Sequence, residues 1–264
     1  MKKIRLQGIP YDEKSSFLRG AANAPAIIRK AYLSEASNFY AENGLEINPA
    51  ILADAGDFRI DGYFDIARVS RENLSMKLPL ISLGGDHSIT YPILKAIHSS
   101  NGPVDILHID AHSDLYDSFN GDPYSHACPF ARIMEEGLAS GLTQVGIRTL
   151  TEHQREQAKK FGVQIFPIKD WQLSRLPRFK KPLYISLDLD ALDPSYAPGV
   201  SHHEPGGFST REVISIIQRI KAPILGADIV EYNPDRDINE TTAMVCAKFL
   251  KEIASMMLVN VDGS

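Results

Sequence analysis

Two cysteines, Cys128 and Cys246, in 264 residues cannot build a disulfide framework. Nothing therefore asks for an oxidising compartment, and a reduced, cytoplasmic protein is the expectation. Long apolar runs are missing too, since none approaches the roughly 18 residues of a membrane-spanning helix. The first residues, Met1-Lys2-Lys3-Ile4-Arg5, lead straight into a strand-like segment without the apolar stretch of a signal peptide. Basic runs are absent, and 28 Lys+Arg against 33 Asp+Glu leave a net charge of −5. Nucleic acid and anionic membrane surfaces are therefore poor partners. No repeat, low-complexity tract or linker divides the chain. With 44% hydrophobic residues it can bury a full core, and one domain over residues 1–264 is expected.

What is present is an alternation of short apolar runs with helical patterns. Strands are predicted near residues 4–9, 51–55, 79–83, 104–109, 143–147, 164–168, 183–187 and 224–229. Helices are predicted near 24–42, 63–77, 89–98, 129–137, 151–161, 210–221 and 241–257. Asn23-Ala24-Pro25 places proline in a first turn, and Ser209-Thr210-Arg211-Glu212 has the form of a capping box. Such alternation implies an α/β fold with a parallel sheet covered by helices on both faces. An open doubly wound sheet and a closed barrel both satisfy it, and both place active residues at the C-terminal ends of strands.

The chemistry gathers at those ends. Val104-Asp105-Ile106 continues into Leu107-His108-Ile109-Asp110-Ala111-His112-Ser113-Asp114. If the extended geometry persisted, Asp110, His112 and Asp114 would share one side. Two acids and an imidazole at the end of a buried strand are costly unless a cation joins them. A second apolar strand ends in Leu187-Asp188-Leu189-Asp190-Ala191-Leu192-Asp193-Pro194, and a third in Gly84-Gly85-Asp86-His87-Ser88. Glu231 follows a fourth, Ile224-Leu225-Gly226-Ala227-Asp228-Ile229-Val230. The candidate ligands are thus His87, Asp110, His112, Asp114, Asp188 and Asp190, with no thiolate. That oxygen-rich set suits Mn²⁺, with nickel, cobalt and iron as alternatives. Six ligands would saturate one ion, whereas shared between two they leave a position for water.

Asp86 and Asp193 read as turn residues, and His108 as a buried hydrogen-bonded partner on the face of Asp110. His98 and His153 read as surface groups on helices, and Trp171 as packing.

Together, Gly-Gly-Asp-His87-Ser, Asp110-Ala-His112-Ser-Asp114 and Ser186-Leu-Asp188-Leu-Asp190-Ala-Leu-Asp193-Pro194 resemble the three signatures of the ureohydrolase family, which includes arginases and agmatinases. The resemblance extends from Ser15-Ser16-Phe17-Leu18-Arg19-Gly20, similar to the plant-type branch, through Tyr124-Ser125-His126-Ala127 and Ala197–Gly207 to Gly226–Pro234. It implies an eight-stranded parallel sheet, two Mn²⁺ ions, and hydrolysis of a small guanidino substrate to urea and an amine. His87 and Asp114 would hold one ion, His112 and Asp190 the other, with Asp110 and Asp188 between them. Glu231 matches the family's guanidinium-holding carboxylate and His126 its proton-shuttling imidazole. Relatives form trimers or hexamers, so a homo-oligomer is implied. At Ser201-His202-His203 the chain departs from the arginase Thr-Pro, although the plant-type branch carries Ser-His there; His202 is a candidate substrate contact, as is Tyr124, and His203 reads as exposed or supporting.

Other readings fit less well. Metal-dependent deacylases of related fold use one zinc, two-metal phosphoesterases carry a Gly-Asn-His-Glu-type run absent here, and a non-catalytic metal-dependent scaffold would show a broken ligand set. Substrate choice rests on the loop from Asp114 to His126. Tyr116 stands where arginases have a carboxylate-binding Asn, and Asp117 and Asp122 add negative charge. Charge of that sign repels a carboxylate, so agmatine, giving putrescine and urea, is expected over arginine.

Overall fold

The computed structural model describes residues 3–260, so the outermost residues of the predicted domain, with the Met1-Lys2 start, lie outside the described residues. Eight strands form one sheet: β1 (Ile4–Gly8), β2 (Leu52–Asp57), β3 (Leu80–Leu83), β4 (Val104–Ile109), β5 (Ala139–Val145), β6 (Gln164–Phe166), β7 (Leu183–Asp188) and β8 (Ile224–Val230). Their order is β2-β1-β3-β8-β7-β4-β5-β6, and every neighbouring pair is parallel. The sheet is therefore open, which decides between the two architectures left by the sequence.

Among the described residues seven α-helices cover it: α1 (Ala24–Tyr32), α2 (Asp65–Leu74), α3 (Thr90–Asn101), α4 (Pro129–Glu135), α5 (Glu152–Phe161), α6 (Thr210–Arg219) and α7 (Thr241–Val259). Strand alternation sorts the core into two layers. Leu107, Ile109, Ile185 and Leu187 meet α1, α6 and α7, while Val104, Ile106 and Tyr184 meet α2 to α5. Each fully buried Leu or Ile contributes roughly 1.5–3 kcal/mol.

One rung on the α2–α5 face is polar. Gln7, Ser82, Asp228, Ser186, His108 and Gln144 stand in register on β1, β3, β8, β7, β4 and β5, all fully buried. Hydrogen bonds offset their desolvation. Gln7 Nε2 donates to Ser82 and to Ser70 of α2, and Asp228 accepts from Ser186, Tyr184 and Thr90, each at 2.7 Å. This rung lies just beneath the strand ends.

Two boundaries differ from expectation for local reasons. The helix predicted over 24–42 stops at Tyr32, because Ser34, Asn38 and Asn43 turn their side chains onto the backbone N–H groups of Ala36, Tyr40 and Leu45. Such short polar side chains compete with helical bonds, and Tyr40 instead bridges Glu46. β5 starts at Ala139 rather than near 143. The capping box at Ser209 and Glu212 forms as predicted, and Thr151 with Gln154 makes another at the start of α5.

Candidate metal centre

β3, β8, β7 and β4 are neighbours at the centre of the sheet, so their ends span only roughly 14 Å at the usual strand spacing of about 4.8 Å. His87 follows β3, Glu231 follows β8, Asp188 ends β7, and Asp110, His112 and Asp114 follow β4. The exits of β3, β7 and β4 are turns, each tied by its own acid. Asp86 accepts from Ser88 N, Asp188 from Asp190 N and Asp110 from His112 N, at 3.0, 2.8 and 2.6 Å. Asp114 (φ 49°) and Glu231 (φ 62°) adopt left-handed backbone, a conformation that costs about 1–3 kcal/mol outside glycine and collects at functional sites.

Strand alternation does not explain how the ligand candidates meet, because β4 ends at Ile109 and the turn after it divides them. His87 Nδ1 lies 3.2 Å from Asp110 Oδ2, 3.2 Å from Asp114 Oδ2 and 3.0 Å from Asp188 Oδ2. His112 Nδ1 lies 3.0 Å from Asp190 Oδ2 and 3.5 Å from Asp110 Oδ1. All six predicted residues are thus brought together in two groups that share Asp110.

The donor set fits a cation on the evidence of one atom. Ser186 donates its hydroxyl hydrogen to Asp228, so it accepts from His87 Nε2 at 2.9 Å. The other nitrogen, Nδ1, is buried without a hydrogen bond and faces three carboxylates. A lone pair among three anions is repelled unless positive charge lies between them. Donor atoms 3.0–3.2 Å apart suit ligands about 2.1 Å from one ion.

Electrostatics agree. Burial, with Asp190 and Asp110 close by, pushes the Asp188 carboxyl well above its usual range, and burial lifts Asp190 to about 6. Asp110 is held low against burial by His108. That histidine has the buried supporting place expected of it. Gln144 Nε2 donates to Ser113 O and to His108 Nδ1, which leaves His108 Nε2–H to donate to Asp110 Oδ2 at 2.7 Å.

A cavity of about 220 Å³ opens over this centre. Glu231, His126 and His202 stand on its wall beside Asp114 and His112, and Tyr116, Phe119, Thr149, Thr151 and Gln154 add uncharged side chains to the lining. Glu231 Oε1 accepts from His87 N at 2.9 Å and from His126 Nδ1 at 2.8 Å. Burial presses the His126 imidazolium down, but Glu231 outweighs it and raises the group to about 9. Burial likewise holds the His202 imidazole below its ordinary value.

Other expectations need correction. Tyr124 does not line the cavity; its ring packs on Tyr63, Phe64 and Tyr91. Asp122 is paired with Lys14 at 2.7 Å, and Asp117 faces His153 at 3.2 Å, so neither acid points at the cavity. His153 is accordingly no idle surface group, since it also stacks on Tyr116. His203 is exposed and bonds Pro198 O. Asp193 is a turn acid, as read, accepting from Ser195 and Gly206.

Ser186, Asp228 and Arg148 are among the residues at the site that carried no assignment from the sequence. Ser186 and Asp228 support His87, and a polar residue inside an otherwise apolar buried strand was the available signal. Arg148 has none, because its guanidinium binds the carbonyls of Gly146, Asp190, Ala191, Leu192 and Glu204, a pattern that only folding assembles.

A model of the arginase family matches residues 2–256. Arginase 1, mitochondrial, of Arabidopsis thaliana is 45% identical over 95% of this chain and 80% of its own. N(1)-aminopropylagmatine ureohydrolase of Thermus thermophilus is 36% identical over 86% of this chain and 81% of its own. Among solved structures, the arginase from Medicago truncatula superimposes with a TM-score of 0.90 at 42% identity, covering 97% of this chain and 87% of that one.

Proposed function

The chain belongs to the arginase family, and from that premise we propose that it hydrolyses arginine to ornithine and urea. The observation that carries the choice is the likeness to plant arginases over 95% of the chain. It replaces the agmatine expectation, which rested on Tyr116 in the place of a carboxylate-binding Asn and on the acidic loop. Asp122 is neutralised by Lys14 and Asp117 is turned to His153, so neither repels a substrate carboxylate in the cavity.

In this reading His87 and Asp114 would hold one ion and His112 and Asp190 the other, with Asp110 and Asp188 as further ligands. The two groups around Asp110 support that division. Two bound divalent cations, Mn²⁺ by the donor chemistry, would lower the pKa of water enough to supply a nucleophile near neutral pH. The remaining steps belong to the chain's own residues. Glu231 orients the guanidinium through charge-assisted hydrogen bonds, which are strong in a buried site. His126 carries the proton that the departing amine needs, its charge supported by Glu231. His202 closes one side of the cavity, its ring 5.5 Å from that of Phe17.

Among the described residues no helix is long and apolar enough to cross a membrane. The family acts on small guanidino substrates and its members are commonly oligomeric; a homotrimer or hexamer in the cytoplasm is proposed here. The deciding experiment measures kcat/KM for arginine, agmatine, 4-guanidinobutyrate and free guanidine under one metal condition. Arginine should lead. A preference of tenfold or more for agmatine or a guanidino acid would overturn the substrate and leave the hydrolytic chemistry standing.

A further inference from the structure

We propose that Ser16 is a further catalytic residue, the hydroxyl relay through which His126 passes its proton to the leaving amine. The inference rests on the arginine-hydrolysis reading above.

Both ring nitrogens of His126 are occupied. Nδ1 lies 2.8 Å from Glu231 Oε1, and Nε2 meets both the backbone N–H of Ser16, at 3.2 Å, and its hydroxyl, at 2.8 Å. A backbone N–H only donates, so the neutral ring must offer Nε2 as a lone pair and keep its hydrogen on Nδ1, where a carboxylate accepts it. One tautomer satisfies every partner.

The charged ring is different. Its second hydrogen sits on Nε2, which the Ser16 N–H cannot accept and the Ser16 hydroxyl oxygen can. Direct transfer from His126 is therefore screened on both sides, by Glu231 and by Ser16. Ser16 itself lines the cavity. As Nε2–H passes to Ser16 Oγ, the hydroxyl's own hydrogen passes to the amine nitrogen while its bond to the guanidino carbon breaks. Ser16 ends unchanged, and His126 returns to the neutral Nδ1–H form.

The segment that carries Ser16 is held without help from its hydroxyl. Lys14 N donates to Asp86 Oδ2, Gly20 N to Asp12 Oδ2 and Ser201 Oγ to Leu18 O, at 3.0, 2.7 and 3.0 Å, and Lys14 O accepts from His126 N. Removing the Ser16 oxygen should leave these ties in place, so chemistry and folding separate.

The test compares Ser16→Ala, Ser16→Thr, His126→Asn and the Ser16→Ala/His126→Asn double variant, all metal-loaded, by urea release from arginine. Ser16→Ala should lower kcat by at least about tenfold, with KM little changed, as expected for loss of a proton-transfer group. Ser16→Thr should restore most of it. A proton inventory in mixed H₂O and D₂O should be bowed in wild type, reporting two protons in flight, and linear in Ser16→Ala. In the His126→Asn background the alanine change should cost nothing further. Unchanged kcat in Ser16→Ala, or the same loss in both backgrounds, overturns the relay. A wild type that releases no urea from arginine but does so from another guanidino compound overturns the substrate reading instead, and the same comparison is then made on that compound.

Discussion

Asp110 presents Oδ2 to His87 and Oδ1 to His112, while Glu231 touches only a backbone N–H and His126. Two substitutions of similar size should therefore fail differently. Asp110→Asn exchanges one of these two oxygens for an NH₂ group and removes the negative charge that both groups share, so metal analysis after dialysis should find less than the wild-type content, and turnover should vanish. Glu231→Gln should keep its metals and lose turnover by about a hundredfold or more, since only a charge-assisted contact to substrate is weakened. Full metal content with full activity in Asp110→Asn would remove that aspartate from the centre; metal loss in Glu231→Gln would make it a ligand. The six ligand candidates were legible because residue type and position after an apolar run are both written in the chain. Tyr124, Asp117 and Asp122 were misjudged because the side-chain directions of a loop follow no period. Only the folded segment shows that Asp122 meets Lys14.

The strands other than β5, which starts four residues before its predicted place, were legible to within about two residues, and for one reason: buried parallel strands are continuous apolar runs bounded by turn residues. Helix α1 was overextended because Ser34, Asn38 and Asn43 bond their own neighbourhood, a local competition that periodicity does not register. The order of the strands was not written at all, and with it the polar rung stayed hidden, since six residues scattered from Gln7 to Gln144 and Asp228 align only after pairing. That rung makes a prediction about β8. Asp228 accepts three hydroxyl donors, and an Asn there offers one acceptor oxygen and turns an NH₂ group toward the rest. Asp228→Asn should lower stability by about 1–3 kcal/mol and weaken metal retention, because Ser186 no longer aligns His87. Denaturant unfolding and metal titration check both; an unaltered metal affinity would show that His87 needs no such support.

At the scale of the molecule, the segment after α1 is tied to α6 and α7 through Glu42, which accepts both guanidinium nitrogens of Arg211 at 2.7 and 2.8 Å, with Gln218 and Lys248 nearby. Arg211 holds the Glu42 carboxyl down at about 2, against about 4.5 for a free glutamate. A carboxyl depressed on folding stabilises above its unfolded value and loses that contribution as pH falls through its folded one. The stability gap between wild type and Glu42→Gln, read from urea unfolding, should thus be constant above pH 5 and close between 4.5 and 2. A gap that does not change with pH would mean the pair adds nothing to the fold. The order of the sheet carries a consequence for how such a chain is made. β7 and β8 enter between β3 and β4, although they follow the other six described strands in the sequence. A nascent chain that ends before Leu183 holds two separate patches, β2-β1-β3 and β4-β5-β6, each with a raw edge able to pair with a stranger. Asp188, Asp190 and Glu231 arrive with the strands that bridge the gap, so a chain cut short before Leu183 lacks the middle of its sheet and part of its metal centre together.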